Sequence, residues 1–218
     1  MNRAVLFDID GTLLDTNYLH ALAWRRTFAE HGLEIPTSSV HRRIGMASDR
    51  LMEELVGRER DDLKETRTRH FEALKPEIRA FPKAAELLAE VARRGATVVL
   101  ASSAQEDDLK AMMEALGAGD TVEAVTSSGD VDEAKPSPEV FQVAMDQAGS
   151  APGWAIAVGD TVWDVRAAER AGIGCVCVLT GGISRLELEA AGALAVYEDV
   201  AELLDRLDHS PLATLLTG

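Results

Sequence analysis

The stretch AVLFDIDGTLLDT, residues 4–16, decides how the rest of the chain is read. Ala4 to Phe7 make a short apolar run that fits a strand buried on both faces, and Gly11 ends it where the chain must turn. Asp8 and Asp10 then stand where that strand ends. In a parallel α/β sheet, ligands bind at the carboxyl ends of the strands, so the two acids mark a place prepared for chemistry. Strand residues two apart share a face, and the carboxylates converge on one centre if strand geometry continues through Asp10. Like charges that close need a cation or a shared proton. With a metal ion neutralising the pair, one carboxylate can serve as a nucleophile while the other moves protons.

Bulk composition narrows the classes. The 218 residues suffice for one good-sized core, or a core with a smaller appendage. A hydrophobic content of 46% with mixed charges describes a soluble globular chain, and a net charge of -15 argues against nucleic acid as a partner. An anionic substrate must then be drawn in by a local cation rather than by the overall field. No run is long enough for a membrane span and the N-terminus carries no signal-peptide pattern, so a cytoplasmic protein is expected. Cys175 and Cys177 lie two apart in an apolar stretch, a spacing that does not favour a bridge, and read as buried thiols.

Outward from the opening stretch, residues 17–80 are helical in pattern with no convincing strand. LHALAWRRTFAEHG stops at Gly32, and Ser48 with Leu51 and Leu55 reads as a capped amphipathic helix closing at Gly57. About four helices are expected there, placed as a lid beside the active-site strand. From Phe81 the rhythm alternates. A helix opens at Pro82, and strands are expected over Ala96–Ala101, Thr121–Thr126, Trp154–Val158 and the cysteine stretch, with helices between them. The helix after KPSP has Pro138 at its first position, and another runs from about Asp164 to Ala171. The spacing predicts a Rossmann-like parallel sheet covered on both faces, with residues 1–16 and 81–218 as the α/β core, 17–80 as a helical cap, and a loosely packed tail from His209.

Three later strand ends carry candidate residues. Ser102 directly follows VVLA and can donate to a phosphoryl oxygen, although serine there is also an ordinary turn residue. Lys135 stands in EAKPSPEVF, where a lone lysine is ordinarily a solvated charge. Asp160 and Asp164 come from VGDTVWDVRAAERAG, and hard oxygen ligands of this kind suit magnesium, while Asp164 can also cap the following helix.

These strings in this order resemble the haloacid dehalogenase superfamily, and the resemblance covers essentially the whole chain. It implies a magnesium-dependent phosphatase acting through an aspartyl-phosphate, with Asp8 as nucleophile and Asp10 as acid and base. It places Ser102, rather than Ser103, and Lys135 on the transferring phosphoryl group. Gly11 is counted with that phosphate-binding set for its turn, and Thr12 for a hydrogen bond supporting the loop. The magnesium ion is implied to rest on Asp8, the backbone carbonyl of Asp10 and Asp160, with Asp164 a ligand or its close support. Ala134 stands where many relatives have glycine, which implies a small local backbone difference. An acid at position 10 favours phosphoryl transfer over dehalogenation. The only cap lysines, Lys64 and Lys75, lie in no context resembling the Schiff-base lysine of the phosphonate-cleaving relatives.

The substrate implied is a small phosphorylated metabolite, acted on by a monomer or dimer. DTNYLHALAW also resembles the hinge of β-phosphoglucomutase, His20 and Trp24 included, so a phosphosugar mutase is the alternative. His20 can help control Asp10 or be structural, and Trp24 reads as cap core. Arg42, Arg43 and Met46 in HRRIGM are candidates for specificity, or for an exposed helix face. A non-catalytic binding module ranks last, since both Asp8 and Asp10 are present.

Overall fold

The computed structural model describes residues 1–102, 104–127, 129–130 and 135–216. In it the apolar run Ala4–Phe7 forms β1, with all of its residues buried. Around it lie β2 (Thr97–Ala101), β3 (Ala124–Thr126), β4 (Ala155–Gly159), β5 (Gly174–Val178) and β6 (Ala195–Tyr197). All pairings are parallel and the order is β3-β2-β1-β4-β5-β6. The strand order therefore reverses direction between β1 and β4. That reversal opens a crevice at the carboxyl ends of both strands, the usual ligand site of such a sheet.

The period-two alternation of a strand explains why β1 is apolar throughout. Val5 and Phe7 enter one core with helices α5 (Ala84–Arg93) and α6 (Glu106–Leu116), through Leu87, Leu88, Val91 and Met112. Ala4 and Leu6 enter the other with α7 (Glu139–Ala148) and α8 (Val162–Arg170), through Phe141, Ala144, Ala167 and Ala168. Both faces are covered, as the alternation of strand and helix predicts. Helices α9 (Arg185–Ala191), α10 (Val200–Asp205) and α11 (Ala213–Leu216) complete the layers.

Between Thr16 and Ala80 the chain is helical, in α1 (Asn17–Glu30), α2 (Thr37–His41), α3 (Ser48–Val56) and α4 (Asp61–Glu72). This region has an apolar core of its own, with Trp24, Phe28, Val40, Leu51, Met52 and Leu63 buried together. The outgoing and returning segments run side by side. Leu14 bridges Ala80, the Asp15 amide donates to the Arg79 carbonyl at 2.9 Å, and the Phe81 amide donates to the Leu13 carbonyl at 2.9 Å.

Several element ends differ from the sequence pattern, each for a local reason. Helix α5 begins at Ala84 rather than Pro82, because Lys83 takes a positive φ of 64° just ahead of it. The third strand is short because Gly119–Thr121 turns as a 3-10 helix first. Thr161 caps α8, so that helix starts before Asp164. Pro138 and Ala47 hold the cap positions of α7 and α3, leaving Ser48 as a first helical residue. Trp154 falls outside β4, in a 3-10 turn, and is 48% exposed. The tail is the larger correction: Leu212, Leu215 and Leu216 are buried in the main core, and Arg3 donates to the Leu215 carbonyl at 3.0 Å. Ala134 lies outside the described residues. Cys175 and Cys177 are buried, unbridged thiols with sulfurs 3.8 Å apart, and no described helix is long and apolar enough to cross a membrane.

Candidate active site

The Asp8 amide still donates to the Val158 carbonyl, at 2.8 Å, so Asp8 stays pinned to β4 after β1 has ended. Beyond it the chain folds back on itself. Leu13 and Leu14 donate to the Ile9 carbonyl, and Gly11 makes the turn at φ 77°, in the region open to glycine. Strand geometry thus does not continue through Asp10, and the two carboxylates divide. Asp8 faces Lys135, while Asp10 accepts hydrogen bonds from the Thr16 hydroxyl and from His20 Nε2 at 2.9 Å. Both still line one cavity of about 370 Å³ between the sheet edge and the helical region.

Lys135 comes from beyond β3, and at 2% exposure it is anything but a solvated charge. Its ammonium hydrogen-bonds Asp8, stands 2.8 Å from Asp164 Oδ1, reaches the Ala101 carbonyl at 3.3 Å, and lies over the Phe141 ring. Burial works to lower its pKa, but attraction to Asp164 and Asp8 outweighs burial and the amine is held above its ordinary range. Burial has the opposite result for Asp8. Aided by the charges of Asp164 and Asp10, it lifts that carboxyl to about 7 against the pull of Lys135.

Asp160 is fully buried at the end of β4 and accepts from Thr12 Oγ1 at 3.0 Å and Asn17 Nδ2 at 2.7 Å. Burial, Asp164 and Asp8 push its carboxyl well above the usual range. Asp164 divides its two oxygens. Oδ2 takes the Thr161 amide and hydroxyl in a capping box at the start of α8, so Asp164 serves the helix end as well as the site. Oδ1 has the Lys135 ammonium as its ion-pair partner and, among the described residues, no further hydrogen-bond donor.

Asp8, Asp160 and Asp164 each present an oxygen within 4.8 Å of the others. Three buried carboxylates at that spacing, one with an oxygen short of donors, suit a hard divalent cation, and the cluster matches a magnesium site. The Asp10 side chain stands outside this set, occupied by Thr16 and His20.

Ser102 is buried on the cavity wall. Its Oγ accepts from the Ala104 amide at 3.0 Å, which leaves the hydroxyl proton for a ligand. Gly11 and Thr12 lie behind the carboxylates rather than on that wall, where Thr12 supports the loop through Asp160. His20 is stacked on Phe71 at 4.2 Å and receives Arg67 Nη2 on Nδ1 at 2.7 Å. A guanidinium can only donate, so Nδ1 is the acceptor nitrogen and the ring proton sits on Nε2, aimed at Asp10. For Asp10, burial works upward, but His20, Thr16 and the Arg67 charge outweigh it and hold the carboxyl below its ordinary value.

Of the specificity candidates, Arg43 and Met46 line the cavity, with Arg43 bound to Glu54 at 3.0 Å. Arg42 instead reaches outward to Glu187 on α9 at 2.7 Å. Trp24 is 2% exposed and belongs to the helical core. Lys64 lines the cavity, bound to Asp49 at 2.6 Å, and Lys75 pairs with Asp108 on α6 at 2.9 Å. The sequence reading passed over Arg67, Asp108 and Asn17. A signal for Arg67 existed: it sits four residues from both Leu63 and Phe71, on the buried face of α4.

A buried carboxylate cluster, its lysine and a separately held acid, all at the switch point of a parallel sheet, define a class of enzyme: magnesium-dependent phosphoryl transfer. The chain belongs to the haloacid dehalogenase-like hydrolase family, whose pattern matches residues 5–178. It is 32% identical to a phosphoglycolate phosphatase of Rhodospirillum rubrum, over 95% of this chain and 91% of that one. A crystal structure of a hydrolase from Pseudomonas syringae superimposes with a TM-score of 0.90 at 31% identity, covering 95% of this chain and 98% of the other. CbbY from Rhodobacter sphaeroides, solved in complex with phosphate, superimposes at 0.77 with 28% identity, over 93% and 96% of the two chains.

Proposed function

We propose that the protein hydrolyses a small-molecule phosphomonoester through an aspartyl-phosphate at Asp8, with residues 17–80 serving as a cap over the core of residues 1–16 and 81–218. The observation that carries this reading is the division of labour between two acids two residues apart. Asp8 is committed to Lys135 and the carboxylate cluster, and Asp10 is held apart by Thr16 and His20.

In the first half-reaction an Asp8 oxygen attacks phosphorus in line with the departing alkoxide, and the P–O bond to the substrate breaks. Lys135 and the Ser102 hydroxyl face the equatorial oxygens. Magnesium held by Asp8, Asp160, Asp164 and the Asp10 carbonyl would supply Lewis-acid neutralisation of the phosphoryl charge. Asp10 relays to the leaving oxygen a proton that enters with the substrate as its phosphate monoanion. In the second half Asp10, ionised as its neighbours favour, takes a proton from water as that water attacks the acyl phosphate, releasing inorganic phosphate and restoring Asp8.

A mutase would have to hold a second phosphoryl group at the far end of the cavity. The cationic side chains that line the cavity above the carboxylate cluster, Arg43, Lys64 and Arg67, are already paired with Glu54, Asp49 and Asp108, which favours simple hydrolysis. Sugar phosphates, phosphoglycolate and nucleotides, assayed with and without magnesium and with Asp8→Asn, test the reading. Magnesium-dependent phosphate release lost in Asp8→Asn supports it. Interconversion of a hexose 1-phosphate and 6-phosphate without release would replace it with the mutase, and silence in both assays would return the chain to a binding role.

A further inference from the structure

Asp160 is the most enclosed member of the carboxylate cluster, and one of its two donors comes from outside the core. Asn17 is the first residue of α1, where the helical region begins, and is 3% exposed. Its Nδ2 donates to Asp160 Oδ2 at 2.7 Å and approaches the Gly181 carbonyl at 3.5 Å. The flipped amide would set Oδ1 against a carboxylate oxygen and a carbonyl, so the orientation is fixed by its partners. Two glycines close the cradle. A Cβ at Gly11 would run into the Asn17 amide and Asp160, and one at Gly181 would run into the Asp160 carboxylate. The same Gly181 carbonyl also accepts from His41 Nε2 at 2.8 Å, on α2. The cap's first residue and its second helix thus meet the core at one turn, directly behind Asp160.

We propose that Asn17 is a positioning residue for the metal site: it locks the rotation of the Asp160 carboxylate and ties that orientation to the point where the cap leaves the core. The inference rests on the phosphatase reading only in taking Asp160 as a metal ligand. Thr12 cannot replace Asn17 in this role, because its hydroxyl bonds the other oxygen, Oδ1, and a single donor leaves the carboxylate free to turn about that contact. Outer partners that orient a ligating group typically govern metal affinity by about 10–100-fold.

The test is binding of manganese ion to the full chain without substrate, counted by its electron paramagnetic resonance signal, in the native protein and in Asn17→Ala. The expected result is an affinity about tenfold weaker in the variant, at the low end of that range. The half-saturating magnesium concentration for turnover should rise by the same factor, while kcat at saturating magnesium and KM for substrate stay near native values. A purely structural role for Asn17 would lower metal-free stability or kcat and leave the metal affinity where it was. Asn17→Ser, whose hydroxyl is too short to reach Oδ2, gives a second reading if the alanine variant does not fold. Equal manganese affinity in native and variant proteins overturns the role of Asn17 alone. Failure of the native protein to bind manganese overturns the metal-site reading as well.

Discussion

The floor and the roof of the cavity are built by different physics. On the floor, Asp8 and Asp160 follow the ends of two neighbouring parallel strands, so the sheet ladder sets their spacing, and Lys135 is ion-paired onto the cluster. The roof meets the floor chiefly through side chains: Arg67 and Lys75 to Asp108, His41 to the Gly181 carbonyl, Arg42 to Glu187. A ladder breaks only when the fold does, whereas side-chain contacts can open singly. In the proposed reaction the chemistry sits on the rigid element, beneath a helical region joined to it by contacts of the second kind.

The largest effect that can break this contrast belongs to Asp10, which is on the floor but shared between Thr16 of the floor and His20 of the roof. Asp10→Asn should lower turnover by roughly 10²–10⁴-fold, the usual weight of a general acid and base, with metal affinity little changed. A loss under tenfold, read by steady-state kinetics, would remove Asp10 from proton transfer.

Lys135→Met takes the one ammonium out of a buried carboxylate cluster. Breaking such a pair costs about 3–5 kcal/mol, visible in urea unfolding of the metal-free protein. An unchanged midpoint would mean that the floor does not depend on this ion pair.

The pH dependence sharpens the same point. Asp8 has a folded value of about 7 against 3.8 ordinarily, and Asp160 is raised as well. A carboxyl raised in this way contributes stability that is complete below the unfolded value and is lost as the pH climbs through the folded one. Metal-free protein should thus melt at falling temperatures between about pH 5 and pH 8, and added magnesium should raise Tm most at the upper end. Lys135, held above its ordinary range, stays charged throughout that window. A metal-free Tm that rises across the window would contradict the burial of these acids.

The smallest effects lie on the roof. Asp108 is 5% exposed and bound to both Lys75 and Arg67, so Asp108→Ala leaves two cations without it and should cost about 1–3 kcal/mol. Faster hydrogen exchange in α4 with an unchanged sheet would locate that loss at the seam. Arg42→Ala removes an exposed, solvent-screened pair and should leave Tm and turnover where they are.

Much of the floor was legible in the sequence because its signals are local. An apolar run, an acid just past its end and a glycine close by occur together in VLFDIDG and again in AIAVGD, and strand-end geometry does the rest. The division between Asp8 and Asp10 was not legible, since it follows from the Ile9 carbonyl accepting from the Thr12, Leu13 and Leu14 amides and ending the strand early. Contacts that bridge roof and floor left no local trace. Asn17 and Asp160 are 143 residues apart, and His41 and Gly181 are 140 apart. The tail was misread from its position at the end of the chain, although Leu212, Leu215 and Leu216 carry the three-and-one spacing of a buried helical turn.

The most direct test of the central claim is where phosphorus becomes covalently attached. Turnover mixtures with a substrate that releases phosphate, quenched in acid and reduced with borohydride, convert an acyl phosphate into an alcohol that peptide mass analysis can place. The prediction is homoserine at position 8, dependent on magnesium and absent from Asp8→Asn. Modification at Asp10 instead, or phosphate release by Asp8→Asn at the native rate, would contradict it.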